Sequence, residues 1–402
     1  MSSVKDNKHF CMMPWVHMHL WPAGFTYPCC MSDPDYPIGN TQTQSLQDIW
    51  NGEQMRKIRL NMLSGEPSKE CRRCYELEDN GMQTLRNSSI TNFADKHWQK
   101  VMNTSDDGSA GDVNMAYMDI RFSNLCNLKC RSCGPQFSSS WFEDHKQMYG
   151  ELNHPKILQV RDEMKSFMDE LEPLLESVER VYWAGGEPLI TQAHYDILDK
   201  WIAMGKRDVA MDYTTNFTQM RFKKKTAFEY WNAFDKVRVA ASLDANHKRG
   251  EYLRKNMDWD IVVQNRRDML EQCPQVYFEL TPTVSVYNVL NLPDFHKEWI
   301  EQGLLEPANI RINILLDPTY MRLSILPVNK KDKIRLRYLE HLKYLDQFDN
   351  INHVKKDYES ILNFINDDRS EEVKMFLYKT FKVDKLRQED VFEVFPELEG
   401  IA

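Results

Sequence analysis

Three cysteines fall within eight residues, in the run Cys126-Asn-Leu-Lys-Cys130-Arg-Ser-Cys133. Spacings of three and two residues let one loop wrap three corners of a metal–sulfur cubane, and thiolate is the ligand that iron–sulfur clusters use. Four thiolates usually hold such a cluster, so three leave one iron open to another ligand. A structural zinc site would need a fourth donor close by, and the nearest, His145, stands twelve residues on. A second set, Cys11, Cys29, Cys71 and Cys74, contains a Cys-x2-Cys half. Four thiolates in that pattern suit tetrahedral zinc and a closed iron–sulfur cluster equally well. Cys30 follows Cys29 directly, and adjacent side chains rarely reach one centre, so only one of the pair belongs to the set. His17 and His19 lie close enough in sequence for a mixed Cys/His site, although histidines in such a stretch more often pack or face solvent. Cys273 stands alone beside Pro274 and reads as a core or surface thiol.

The elements that must position these residues follow from the pattern of the chain. Residues 1–80 are punctuated by Pro14, Pro22, Gly24, Pro28, Pro34, Pro37 and Gly39, so short hairpins and turns are expected. A helix is expected over 45–63, where Ser45 and Asp48 form a capping-box pattern ahead of Leu46, Ile49 and Trp50. Residues 81–112 read as a connector ending in a polar loop at 103–111. From 113 to 318 the pattern alternates. Strands are expected at 115–122, 180–184, 209–215, 237–243, 276–284 and 310–316, with helical stretches at 155–178, 191–204 and 289–302 between them. Strand–helix alternation implies parallel βαβ units. Six units fall short of an eight-fold barrel, so the expected class is α/β, a partial (β/α)6 TIM-type barrel or a doubly wound sheet. Residues 319–402 read as helical, with stripes at Ile334, Tyr338, Leu342 and Leu345, and at Val354, Tyr358, Ile361 and Ile365. In this reading Cys126 begins the loop after the first strand, the end of such a sheet where α/β folds keep their sites.

Composition bounds the function. The chain has 402 residues, 51 Lys and Arg against 60 Asp and Glu, and a formal net charge of −9. That balance disfavours bulk attraction to nucleic acid or to an anionic membrane. The opening residues carry no apolar signal core, and no stretch approaches the roughly 18 apolar residues of a membrane span. The expected setting is therefore the cytoplasm, where clustered thiols bind metal or do redox chemistry rather than form disulfides.

Cys-x3-Cys-x2-Cys after the first strand of a six-unit α/β fold resembles the radical S-adenosylmethionine (SAM) superfamily. Ala184-Gly185-Gly186-Glu187-Pro188, after the second strand, is similar to that family's GGEP motif. There the backbone and Glu187 would receive the methionine ammonium of SAM. Thr215-Asn216 ends the third strand and Ser242-Leu-Asp244 the fourth. The resemblance places Asn216 near SAM, Ser242 and Asp244 at its ribose, and Val286, after the fifth strand, beside its adenine. One departure is Ser132, where the family usually has an aromatic; Phe137 and Trp141 are the candidates to replace it. The N-terminal pattern, with Gly24-x4-Cys29 favouring Cys29 over Cys30, resembles the twitch type of auxiliary domain, the shorter relative of the SPASM domain.

The resemblance implies a [4Fe–4S] cluster on Cys126, Cys130 and Cys133 that binds SAM, and one auxiliary [4Fe–4S] cluster on Cys11, Cys29, Cys71 and Cys74. It implies an auxiliary-cluster domain at 1–80, a connector at 81–112, a radical SAM core at 113–318 and a helical extension at 319–402. It further implies reductive cleavage of SAM to a 5′-deoxyadenosyl radical, with an electron donor such as flavodoxin or ferredoxin. The auxiliary cluster, with four protein ligands, would transfer electrons. Tyr117, Asp119, Arg121, Tyr182, Tyr213, Glu279, Arg311 and Asn313 could face the barrel interior, which suits a polar small molecule or carbohydrate. No acid or base is assignable. A peptide- or protein-modifying maturase is the alternative within the family, and a zinc-binding interaction protein is the alternative outside it.

Overall fold

The computed structural model describes Val4, residues 7–79 and residues 82–401. The chain divides into two compact units. The first comprises residues up to Leu125, 154–212 and 233–236; the second comprises 126–153, 213–232 and 237 onward.

In the first unit the strands are β1 (His19–Leu20), β2 (Phe25–Tyr27), β3 (Gly39–Asn40), β4 (Tyr117–Ile120), β5 (Arg180–Trp183) and the first half of β6 (Ala210–Thr215). They lie in the order β3-β2-β1-β4-β5-β6. β4 and β5 pair in parallel, Tyr117 opposite Arg180. On its other side β4 takes β1 in parallel, with His19 opposite Asp119 and Leu20 opposite Ile120. The cysteine-rich N-terminal segment thus extends the sheet through β1, and β2 and β3 follow as an antiparallel meander. Every residue of β4 is buried, as a strand covered on both faces requires.

Local signals explain the helices around it. Ser45 and Asp48 form the capping box expected from sequence, but the helix stops at Trp50 and resumes at Glu53, because Gly52 interrupts it. The connector is mostly helix: Leu85–Met102 runs for 18 residues behind a Thr84/Asn87 capping box. Its Ser-Ser-Ile-Thr-Asn composition hides it from propensity, and burial of Phe93, Ala94 and Val101 supplies what propensity does not. The expected helix at 155–178 is reduced to Met164–Leu171 and a 3-10 turn at Glu172–Ser177. Gln159 instead makes an antiparallel bridge to Ser123, with the Val160 amide bonded to the Phe122 carbonyl.

In the second unit the latter half of β6, β7 (Lys236–Ala241) and β8 (Tyr277–Leu280) are neighbours. β7 and β8 run parallel, and Ile310 makes a parallel bridge to Leu280 where a sixth strand was expected. The fold is α/β and predominantly parallel, without a closed ring of strands, and its C-terminal part is helical. Helices at Val328–Leu345, Asn352–Phe364 and Val373–Arg387 bury the stripes at Ile334, Tyr338 and Leu345, and at Val354, Tyr358 and Ile361. Among the described residues no helix is long and apolar enough to cross a membrane.

Candidate metal centres

The loop after β4 in the second unit is built from its backbone outward. Ser139 Oγ accepts the Cys126 amide at 3.2 Å, and Ser140 Oγ donates to the Cys126 carbonyl at 2.7 Å. Trp141 Nε1 donates to the Cys130 carbonyl at 2.8 Å. Lys129 and Cys130 form a short antiparallel ladder with Arg254 and Lys255. Cys130 is buried, Cys126 partly so, and Cys133 is exposed. The Cys130 thiol is lowered to about 7, first by a hydrogen bond with Cys133 and, against burial, by Arg254. Cys133 is raised by the same bond, by burial and by its neighbours Cys130 and Cys126.

Arg254 is the residue that the sequence pattern missed. Its Nη1 lies 3.5 Å from Cys130 Sγ, while Nε and Nη2 bind the two oxygens of Asp244 at 2.9 and 3.0 Å. The Thr283 amide also donates to Asp244, at 2.9 Å. The carboxylate expected at a ribose is therefore the anchor that aims a guanidinium at a thiolate. Asn216 Nδ2 donates to Asn127 Oδ1 at 2.8 Å and lies 4.0 Å from Cys126 Sγ, which brings the end of β6 to the loop. Ser242 is half-buried and follows β7, its amide bonded to the Thr215 carbonyl. Val286 is buried, its amide on the Met321 carbonyl. Phe137 is 49% exposed, whereas Trp141 lines a cavity of about 130 Å³ with Cys133, Tyr287 and Tyr320. Aromatic surface next to the third cysteine thus comes from Trp141 and two tyrosines rather than from Phe137.

A second set of charges fixes this loop. Arg131, between two of the cysteines, binds Asp384 Oδ1 at 2.5 Å and Glu389 Oε2 at 2.6 Å. Its guanidinium lies over the Tyr252 ring. Lys129 and Arg387 share Asp144 at 2.6 and 3.0 Å. Nothing in the helical pattern of 373–387 signalled this clamp.

In the first unit Gly185 and Gly186 have φ of +87° and +53°. A Cβ on Gly186 would stand 2.2 Å from the Leu125 carbonyl oxygen, which also accepts the Glu187 amide at 2.7 Å. The paired glycines are thus required where this turn meets the residue preceding Cys126. Glu187 is buried, and Oε1 accepts the Leu189 amide at 3.1 Å.

The same unit gathers the second cysteine set. Cys11, Cys29 and Cys74 are buried and Cys71 partly so, whereas Cys30 is exposed. Burial pushes the Cys11 thiol up to about 11, with Cys74 adding to the rise. Cys29 is raised by burial and by Cys30, Cys71 and Cys11, and Cys71 by burial, Cys11 and Cys74. The four feel one another's charge, so they ionise together only if a cation neutralises them, and this suits a metal or cluster that displaces their protons. Cys30 feels Asp119 and Arg121 more than it feels Cys74. Cys273 is buried, apart from both sets, with Arg266 as its charged neighbour.

Residues 11–75 match the SPASM family model, an iron–sulfur cluster-binding domain, and the match spans Cys11, Cys29, Cys71 and Cys74. Among solved structures, native anSMEcpe with bound AdoMet shares 20% identity, with TM-score 0.36, over 56% of this chain and 60% of that one. A hexahistidine-tagged anSMEcpe with bound AdoMet shares 17% identity, with TM-score 0.38, over 59% and 58%. TYW1 with a lysine–pyruvate adduct bound shares 14%, with TM-score 0.29, over 56% and 70%. This chain therefore spans about 60% of the length of the anSMEcpe structures. No curated protein matches it.

Proposed function

We propose that the chain is a radical SAM enzyme acting on a polar small molecule or carbohydrate, with an auxiliary iron–sulfur cluster that transfers electrons. Residues 113–318 would form the catalytic core and residues 1–80 the auxiliary domain. The observation that carries this reading is the loop of Cys126, Cys130 and Cys133, whose middle thiolate receives a guanidinium locked by Asp244. Three thiolates suit a cluster with an open iron, and the SPASM match over residues 11–75, which spans the other four cysteines, supports the auxiliary cluster.

When bound, the cluster and SAM would supply one-electron reductive cleavage of SAM and hydrogen-atom abstraction from the substrate, the electron coming from a flavodoxin- or ferredoxin-class donor. The protein's residues would do the rest. Cys126, Cys130 and Cys133 hold the cluster, and Arg254 offsets its negative charge. Gly185 and Gly186 let the SAM methionine approach the backbone, with Glu187 facing its ammonium. Ser242 and Val286 flank the nucleoside, and Asn216 orders the loop through Asn127. Trp141, Tyr287 and Tyr320 provide aromatic surface beside Cys133. A reducing compartment such as the cytoplasm suits seven metal-binding thiols.

Anaerobic reconstitution tests the proposal. About eight irons per chain are expected, and 5′-deoxyadenosine should form on reduction with SAM present. Replacing Cys126, Cys130 and Cys133 together by Ala should leave roughly half the iron and abolish SAM cleavage. Zinc in place of iron, with no cleavage, would overturn it.

A further inference from the structure

His17, His19 and Asp119 converge in the first unit, outside the four-cysteine set but with Cys30 close enough for its thiol to feel Asp119. Their nearest ligand atoms all lie within 4.8 Å of one another, and all three residues are at most 2% exposed. Strand register produces the cluster. β1 pairs in parallel with β4, so His19 stands opposite Asp119, and His17, two residues earlier, stacks on Tyr117 with ring centroids 4.8 Å apart. His19 Nδ1 lies 3.0 Å from Asp119 Oδ2. His17 Nδ1 lies 3.0 Å from the Tyr117 carbonyl. A carbonyl only accepts, so that nitrogen carries the proton and Nε2 keeps a bare lone pair. This Nε2 is buried and has no hydrogen-bond partner. A buried acceptor left this way is destabilising, and here it shares a small space with a carboxylate. An unpartnered imidazole nitrogen close to a carboxylate is a donor pair suited to a cation.

We propose that His17 Nε2, His19 Nδ1 and Asp119 form a mononuclear site for a divalent transition ion of the zinc or ferrous class. Two imidazoles and one carboxylate are the donor set such ions take. The carbonyl behind His17 Nδ1 is the outer contact that orients a metal-bound imidazole. Burial favours an ion over an organic ligand, because groups with almost no exposed surface cannot touch a substrate while an ion can sit between them. Two neighbours oppose the ion and set its affinity. Arg121 Nε binds Asp119 Oδ1 at 2.9 Å and competes for the carboxylate. Trp21 Nε1 donates to His19 Nε2. Coordination through Nδ1 moves the His19 proton to Nε2, so Trp21 must release its bond.

The test uses the full chain after anaerobic cluster loading, so that the cysteines are already occupied. Excess Zn²⁺, and separately Co²⁺, is added and then removed by desalting, and bound metal is counted. The wild type should retain one more equivalent than His17→Gln, and bound Co²⁺ should show d–d absorption in the wild type alone. His19→Gln, a second variant, should lose the same equivalent, and Trp21→Phe should keep it. Iron content and circular dichroism of each variant report whether it is folded. Equal metal in wild type and folded His17→Gln, or no d–d bands in the wild type, would overturn the site and leave a hydrogen-bonded buried pair. Because the readout is the difference between variants, it stands whether iron or zinc fills the cysteines.

Discussion

A guanidinium aimed at Cys130 adds to the hydrogen bond with Cys133 in lowering that thiol. Arg254 is held by two bonds from Asp244, so its third edge points at the sulfur without a search over rotamers. Positive charge and a hydrogen bond at a ligating sulfur favour the reduced, more negative cluster. Arg254→Gln should therefore lower the midpoint potential. A lost charged hydrogen bond of about 1.5 kcal/mol corresponds to roughly 60 mV for a one-electron couple. A redox titration followed by electron paramagnetic resonance checks this, and an unchanged potential with iron retained would refute it. Asp244 was legible in the sequence as a polar residue at a strand end, but its partner was not. The pairing depends on the ladder between 129–130 and 254–255, which joins segments more than a hundred residues apart. The sequence offered His17 and His19 for a mixed Cys/His site, but their meeting with Asp119 was hidden for the same reason, since only the register of β1 on β4 makes them its neighbours.

At the level of elements, the sequence carried most where a local rule applies. The Ser45–Asp48 capping box, β4, β5, β6, β7 and the helix at Gln192–Ala203 lie where patterning put them. Leu85–Met102 was missed because long-range burial rather than periodicity makes it a helix. The turn after β5 shows a local rule with a functional consequence. Gly186 meets the Leu125 carbonyl at a left-handed φ, so Gly186→Ala adds a clash to a strained backbone that itself costs about 1–2 kcal/mol. Thermal unfolding should fall by at least that much, and SAM binding, measured by calorimetry, should weaken more than for a surface Gly→Ala such as Gly205→Ala. A Gly186→Ala protein as stable as wild type would contradict the tight approach.

On the scale of the whole molecule, buried ionisable groups set both stability and its pH range. Asp384 binds Arg131, the Tyr252 hydroxyl at 2.8 Å and the Val391 amide at 2.9 Å. Asp384→Ala leaves a buried guanidinium with one fewer partner and should cost about 3–5 kcal/mol. It should also lower iron retention at the 126–133 loop more than at the N-terminal set, as iron counting would show on one background with Cys126, Cys130 and Cys133 replaced by Ala and another with Cys11, Cys29, Cys71 and Cys74 replaced. A loss spread evenly over both would mean that the clamp is only structural. The pH dependence follows from His194, His296 and His341. Burial lowers the first two to about 3 and the third to about 4, with His341 also opposing His296. They fold as neutral imidazoles, while the unfolded chain binds protons below pH ~6.5. Their contribution is whole above that pH and is lost as pH falls toward 4 and below. The melting temperature should decline between pH 6.5 and 4.5, and His194→Phe should flatten the decline.

The clamp on Arg131 also has a consequence in time. Asp384 lies 253 residues beyond its partner. At roughly 5–20 residues per second of synthesis, the cysteine loop leaves the ribosome on the order of 10–50 s before the acid that secures it. During that interval its thiols are accessible to iron donors and to oxidants alike. Slowing the ribosome between codons 134 and 384 would lengthen that interval.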